Sequence, residues 1–146
     1  MRIPFHQLQT EFKRVLSKLS FPPELAETCA SIFAANSRDG IYSHGLNRFP
    51  AFVDLVKKGL IQINAKPTLL QSTGAVERWD GHGAPGISNA FHCMSRAIEL
   101  AKLNGIGCVA IKNTNHWMRG GTYGWQAAEA GCIGICFTNA IANMPA

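Results

Sequence analysis

The chain has 146 residues, 47% hydrophobic and 16% charged, a balance that excludes a disordered chain and suits one domain with a buried core. Fourteen Lys and Arg against nine Asp and Glu give +5, which suits an anionic ligand. The basic residues, among them Arg14, Arg38, Lys57, Arg78, Arg96 and Lys112, form no run, and no nucleic-acid-binding signature accompanies them, so nucleic acid is not an expected partner.

In chain order, "PFHQLQTEFKRVLSKLS" spaces Phe5, Leu8, Phe12, Val15, Leu16 and Leu19 by three and four, which predicts an amphipathic helix with Pro4 at its start. A second helix restarts after Pro22 and Pro23, runs through Leu25, Cys29, Ile32 and Phe33, and stops near Gly40. "PAFVDLVKKG" predicts a third, with Phe52, Val53 and Val56 inward. Residues 1–60 thus form a helical segment. From residue 61 to 146 the character changes to an incomplete α/β domain. "PTLLQSTGAVERWDG" predicts a hairpin about Gly74. "SNAFHCMSRAIELAKLNG" predicts a helix with Ala90, Cys93, Ala97, Leu100 and Ala101 on one face. "GCVAIKN" reads as a short buried strand, "NHWMRGGTYG" as a glycine-rich loop, "WQAAEAG" as a helix and "CIGICFTN" as a second buried strand. Strand, helix and strand within about thirty residues is the spacing of a βαβ or equivalent mixed-sheet unit. The sequence stops directly after a core-like strand, which predicts the N-terminal part of a longer protein.

No stretch reaches the roughly 20 apolar residues of a membrane span, and the N-terminus lacks a signal-peptide core. The five cysteines, Cys29, Cys93, Cys108, Cys132 and Cys136, include no C-x-x-C pair and read as mostly buried free thiols. A cytoplasmic protein is expected. The histidines at 6, 44, 82, 92 and 116 lack metal-ligand spacing, so no metal is expected.

Two motifs carry chemistry. In "IYSHGLNRFP", His44 titrates near neutrality and can pass a proton to a developing alkoxide, while Arg48 can hold a carboxylate through two parallel hydrogen bonds. The same residues also fit a capped helix junction with a surface His and Arg. In "KNTNHWMRGGTYGWQ", Asn115 and His116 follow a strand end, where ligands bind in α/β folds, and Gly120, Gly121 and Gly124 allow close backbone approach. An ordinary flexible loop is the competing reading, and Trp117, Tyr123 and Trp125 suit a core or interface. "DGHGAPG", with Asp80 and His82, reads first as a loop and second as a ligand-facing one.

"YSHGLNRFP" and "GIGCVAIKNTNHWMRGGTYGWQAAEAGCIGICFTNAIA", about seventy residues apart in their histidines, resemble the malate/L-lactate dehydrogenase-like oxidoreductases. The resemblance covers nearly the whole chain. It implies a mixed α/β fold of non-Rossmann type, met here only in its N-terminal portion because family members are more than twice this length. It also implies hydride transfer between NAD(P)H and the C2 carbonyl of a 2-keto sugar acid, in a homodimer. By the same resemblance His44 is the favoured proton donor, His116 faces the same pocket and is the acid/base in some members, and Arg48 is the carboxylate contact. Ser43 and Asn115 support them, and Thr138 and Asn139 touch the cofactor. The alternative is a truncated, non-catalytic fragment or self-associating module that binds no cofactor alone.

Overall fold

In a computed structural model, residues 2–139 are described. Helix α1 (Phe5–Lys18) starts after Pro4, and α2 (Pro23–Arg38) carries Pro23 in its first turn, where the missing N–H costs nothing. Gly40 closes α2 with φ of 80°, a left-handed turn that glycine adopts without Cβ strain. A short 3-10 turn (Tyr42–His44) leads into α3 (Phe49–Lys57). The three helices bury one aromatic cluster. Phe12 and Phe49 lie 4.3 Å apart between ring centroids, and Phe33 meets Phe49 and Phe52 edge-on at 5.1 and 5.3 Å. Such pairs each add about 0.5–1.5 kcal/mol beyond area burial. Ile87 and Met118, from the later part of the chain, complete this core.

The sheet has the order β1-β2-β3. Strands β1 (Thr68–Thr73) and β2 (Val76–Asp80) form the expected antiparallel hairpin, closed by Gly74 at φ of 58°. Helix α4 (Gly86–Asn104) then crosses over to β3 (Cys108–Lys112), which pairs parallel with β2. The chain is mixed α/β, as expected, and its βαβ unit is β2-α4-β3. The inward face of α4 is the one its spacing marks: Cys93 and Leu100 are buried and Ala90, Ala97 and Ala101 half-buried. Helix α5 (Gly120–Glu129) follows. Among the described residues no helix is long and apolar enough to cross a membrane.

Four expectations need correction. Residues 132–139 form no strand, and Ile133, Ile135 and Phe137 are 94%, 71% and 86% exposed. An apolar run becomes a buried strand only when another strand pairs with it, and none does so among the described residues. β3 is an edge strand on α4, with Cys108, Ala110 and Lys112 exposed rather than buried. The glycines at 120, 121 and 124 lie within α5, not in a loop before it. A Cβ on Gly120 would stand 3.3 Å from the Trp117 ring and one on Gly121 3.0 Å from Arg119 Nε, so these positions favour a residue without a side chain despite its weak helix propensity. Finally, only Cys29 and Cys93 are buried, and burial pushes both thiols up to about 12, whereas Cys108 is exposed.

Candidate active site

The first half of the site is built at the end of α2. Gly45 is buried, and a Cβ on it would fall 2.3 Å from Ser37 Oγ and 2.8 Å from Ser37 N. Glycine is needed here for this close approach. That approach lets the Leu46 N–H donate to Ser37 Oγ at 2.8 Å, while Asn36 Nδ2 donates to the His44 carbonyl at 3.0 Å. With its backbone gripped on both sides of Gly45, His44 presents a half-buried ring, and Ser43 Oγ lies 2.9 Å from its Nδ1. Arg48 follows one turn later at the start of α3, exposed and outside every ion pair found among the described residues.

The second half is the connection from β3 to α5. Asn113 and Met118 hold left-handed conformations, with φ of 52° and 67°. Asn115 Nδ2 donates to the carbonyls of Gly83 (2.7 Å) and Ala84 (3.2 Å), and Asn113 Nδ2 donates to Asp80 Oδ2 at 2.8 Å. "DGHGAPG" is therefore the shelf on which this connection rests. Its His82 ring turns away to Thr68 Oγ1, 2.7 Å off. The shelf depends on Gly86, where a Cβ would lie 2.0 Å from the Asn115 carbonyl oxygen and 2.5 Å from the His116 carbonyl carbon. The Met118 N–H donates to His116 Nδ1 at 3.0 Å, so a neutral His116 carries its proton on Nε2. Trp117 stacks on the buried Tyr123 ring at 5.6 Å, which fixes the far side of the turn, whereas Trp125 is exposed.

The two halves meet. The His44 and His116 rings stack with centroids 5.6 Å apart and planes 26° apart. Desolvation lowers the His116 pKa, and the positive charges of Arg48 and His44 lower it further. His116, exposed on the groove, is thus biased toward its neutral ring beside the Arg48 guanidinium. Ser43, His44, Arg48, Asn115, His116, Thr138 and Asn139 all line one open groove. Asn115 spends its amide on loop carbonyls and acts there as a support. Gly86 and Ser37 were not singled out by sequence reasoning. The "PG" before α4 is the only local hint of the first, and nothing local marks the second.

The pattern of a full-length match decides the family. The malate/L-lactate dehydrogenase family matches residues 3–146. The chain belongs to that family. It is 52% identical over 145 residues to the 2,3-diketo-L-gulonate reductase of Mannheimia succiniciproducens and 53% identical to that of Haemophilus influenzae, covering 99% of this chain in each case. It spans 44% of the length of these curated relatives. Among solved structures, the malate dehydrogenase of Pyrococcus horikoshii superimposes with a TM-score of 0.87 at 32% identity, covering 90% of this chain and 38% of that one. The sulfolactate dehydrogenase of Methanocaldococcus jannaschii gives 0.85 at 29% identity, covering 88% and 38%.

The groove can be tested against a nicotinamide cofactor through its donor set. Thr138 and Asn139 are exposed on its wall, and among the described residues Thr138 Oγ1 has a local contact, 3.3 Å to the Asn139 carbonyl. Hydroxyl and carboxamide side chains fit the carboxamide or ribose of a nicotinamide nucleotide. They are not the cations or glycine-rich turns that clamp a pyrophosphate. These two residues suit the nicotinamide end.

Proposed function

We propose that this chain carries the substrate-facing half of an NAD(P)H-dependent reductase acting on a 2-keto sugar acid of the 2,3-diketo-L-gulonate type. The observation that carries the reading is the convergence of His44, His116 and Arg48 on one groove, from two motifs about seventy residues apart. The names of the relatives supply the substrate class.

Arg48 binds the substrate carboxylate through its planar fork and so orients the adjacent carbonyl toward the histidines. A reduced nicotinamide, when bound, supplies the hydride to the carbonyl carbon. His44 delivers a proton to the carbonyl oxygen, which becomes the hydroxyl of the 2-hydroxy acid. His44 is the donor of the two because the Met118 N–H already occupies His116 Nδ1, and because desolvation and neighbouring charge oppose an imidazolium at His116. The His116 Nε2–H is left to donate a hydrogen bond to the substrate oxygens. Ser43 sets the His44 ring through the 2.9 Å contact at Nδ1. Thr138 and Asn139 would hold the nicotinamide end of the cofactor.

The test is keto-acid-dependent loss of reduced-nicotinamide absorbance. His44→Ala is expected to abolish it, and turnover within about threefold of the parent overturns the assignment. A second reading, self-association without catalysis, draws support from the exposure of Ile133, Ile135 and Phe137 within one short segment. The homodimer belongs to the proposal on the same ground. Thermal unfolding of the purified chain with and without NADH separates the two readings: catalysis requires that NADH raise the unfolding temperature, and association alone does not.

A further inference from the structure

The two histidines sit on different parts of the chain, and something must hold their relative position. The carrier is Asn36, in the last turn of α2 and 1% exposed. Its Nδ2 donates to the His44 carbonyl at 3.0 Å, and its Oδ1 accepts from Thr122 Oγ1 at 3.1 Å. Thr122 lies in the first turn of α5, six residues after His116 and four after the Met118 N–H that orients its ring. One planar amide thus spans both halves of the site. We propose that Asn36, acting through Thr122, is the positioning residue that sets the distance between the His44 and His116 rings.

Three features separate this role from that of an ordinary satisfied buried amide. Both ends of the Asn36 side chain are spent on segments bearing the histidines, rather than on its own helix. Its own carbonyl accepts the Ile41 N–H at 2.9 Å, so the turn leading to His44 is held by backbone and side chain of one residue. The other polar side-chain contact found between the same segments among the described residues, Arg119 to Asp39 at 2.9 Å, is partly exposed, and ion pairs of that kind constrain weakly. Asn36 is not a catalytic residue, since it lies beneath the His44 backbone rather than in the groove. The inference rests on the proposed pairing of His44 with His116, and its first readout does not depend on turnover.

The experiment uses Asn36→Ala, Thr122→Val and Thr122→Ser. Thr122→Val keeps the side-chain volume and removes only the hydroxyl. The first readout is solution NMR of the histidine rings: the cross-relaxation between the His44 and His116 ring protons, and the titration midpoint of His116. Asn36→Ala and Thr122→Val are expected to weaken the cross-peak and raise the His116 midpoint, because His44 and Arg48 then press less on it. Thr122→Ser, which restores the hydroxyl, is expected to return both to the parent values. The second readout is turnover, with a loss of roughly a hundredfold in kcat for Asn36→Ala, the scale of a misplacement of about 1 Å, and little change in KM. A parent-like cross-peak and midpoint in Thr122→Val overturn the proposal, and this holds even if Asn36→Ala fails to fold. Altered ring signals in Thr122→Val with unchanged turnover would uphold the positioning role and overturn instead the catalytic reading of the pair.

Discussion

Gly86→Ala tests how tightly the second half of the site is built. Gly86 opens α4, and alanine is the better helix former by about 1 kcal/mol, so local propensity alone predicts a gain in stability. The added Cβ would stand 2.0 Å from the Asn115 carbonyl oxygen and 2.5 Å from the His116 carbonyl. An unstrained carbon-to-oxygen contact needs about 3.3 Å, so the 115–116 backbone must withdraw by roughly 1 Å. That movement strains the Asn115 bonds to Gly83 and Ala84 and displaces His116 relative to His44. Overpacking of this kind costs about 1–3 kcal/mol, which outweighs the helix gain. A shift of about 1 Å in a reacting geometry costs on the order of a hundredfold in turnover. Gly124→Ala is the control: it also lies in a helix, but its Cβ would meet nothing within 4 Å, so it should raise the melting temperature. The assays are thermal unfolding and keto-acid-dependent NAD(P)H oxidation. If Gly86→Ala melts as high as Gly124→Ala and keeps parent turnover, the shelf does not place His116.

Arg48→Lys should raise KM at least about tenfold with a smaller change in kcat, because a point charge replaces a two-pronged clamp; unchanged steady-state kinetics would remove Arg48 from the carboxylate. Arg96→Met strips Glu77, 3% exposed, of its paired bonds from Arg96 and leaves it only the Trp79 indole N–H at 2.9 Å. The loss should be about 2 kcal/mol and lower the melting temperature on the order of 6 °C, as read by circular dichroism. The Arg96 hydrogen bonds hold the Glu77 pKa down, so the parent loses this stability as pH falls from 4.5 through the folded-state value, and Arg96→Met should show a shallower acid-side fall. His116 has the same sign. Desolvation first, then Arg48 and His44, depress its pKa, so the unfolded chain binds the proton first and stability falls as pH drops from 6.5 through the lowered folded value. His116→Gln should flatten melting temperature between about pH 7.5 and 5.5, and parallel curves for parent and variant would refute the depressed pKa.

What was legible in the sequence divides along the range of the interactions involved. α1, α2 and α3 are written locally, in the three-and-four spacing that marks Phe12, Phe33 and Phe52, in Pro4 and Pro23 at helix starts and in Gly40 and Gly59 at helix ends, whereas Phe49 was not read as part of that face. The hairpin about Gly74 is local in the same sense. Residues 132–139 were misread because "CIGICF" states only that it is apolar, whereas whether it becomes a strand is decided by a partner elsewhere in the chain. Gly120 and Gly121 were misread for the opposite reason: their local signal points to a loop, yet both lie in the first turn of α5, where the neighbouring Trp117 and Arg119 side chains leave little room for a Cβ.

The site follows the same rule. "SHGLNR" and "NHWMRGG" are each visible as stretches, yet each alone fits a plain junction or loop. Their meaning comes from convergence, and convergence is held by residues that announce nothing. An asparagine at the end of a helix, such as Asn36, and a glycine after a proline, such as Gly86, are common in any chain. Asn36 matters because Thr122 is 86 residues away and 3.1 Å distant, and Gly86 because Asn115 passes over it with no room for a methyl group. The groups that do chemistry are therefore readable in one dimension, while the groups that set their separation are readable only in three. The variants that distinguish a working site from a collection of suitable side chains are for this reason Asn36→Ala, Thr122→Val and Gly86→Ala, none of which touches a reacting atom.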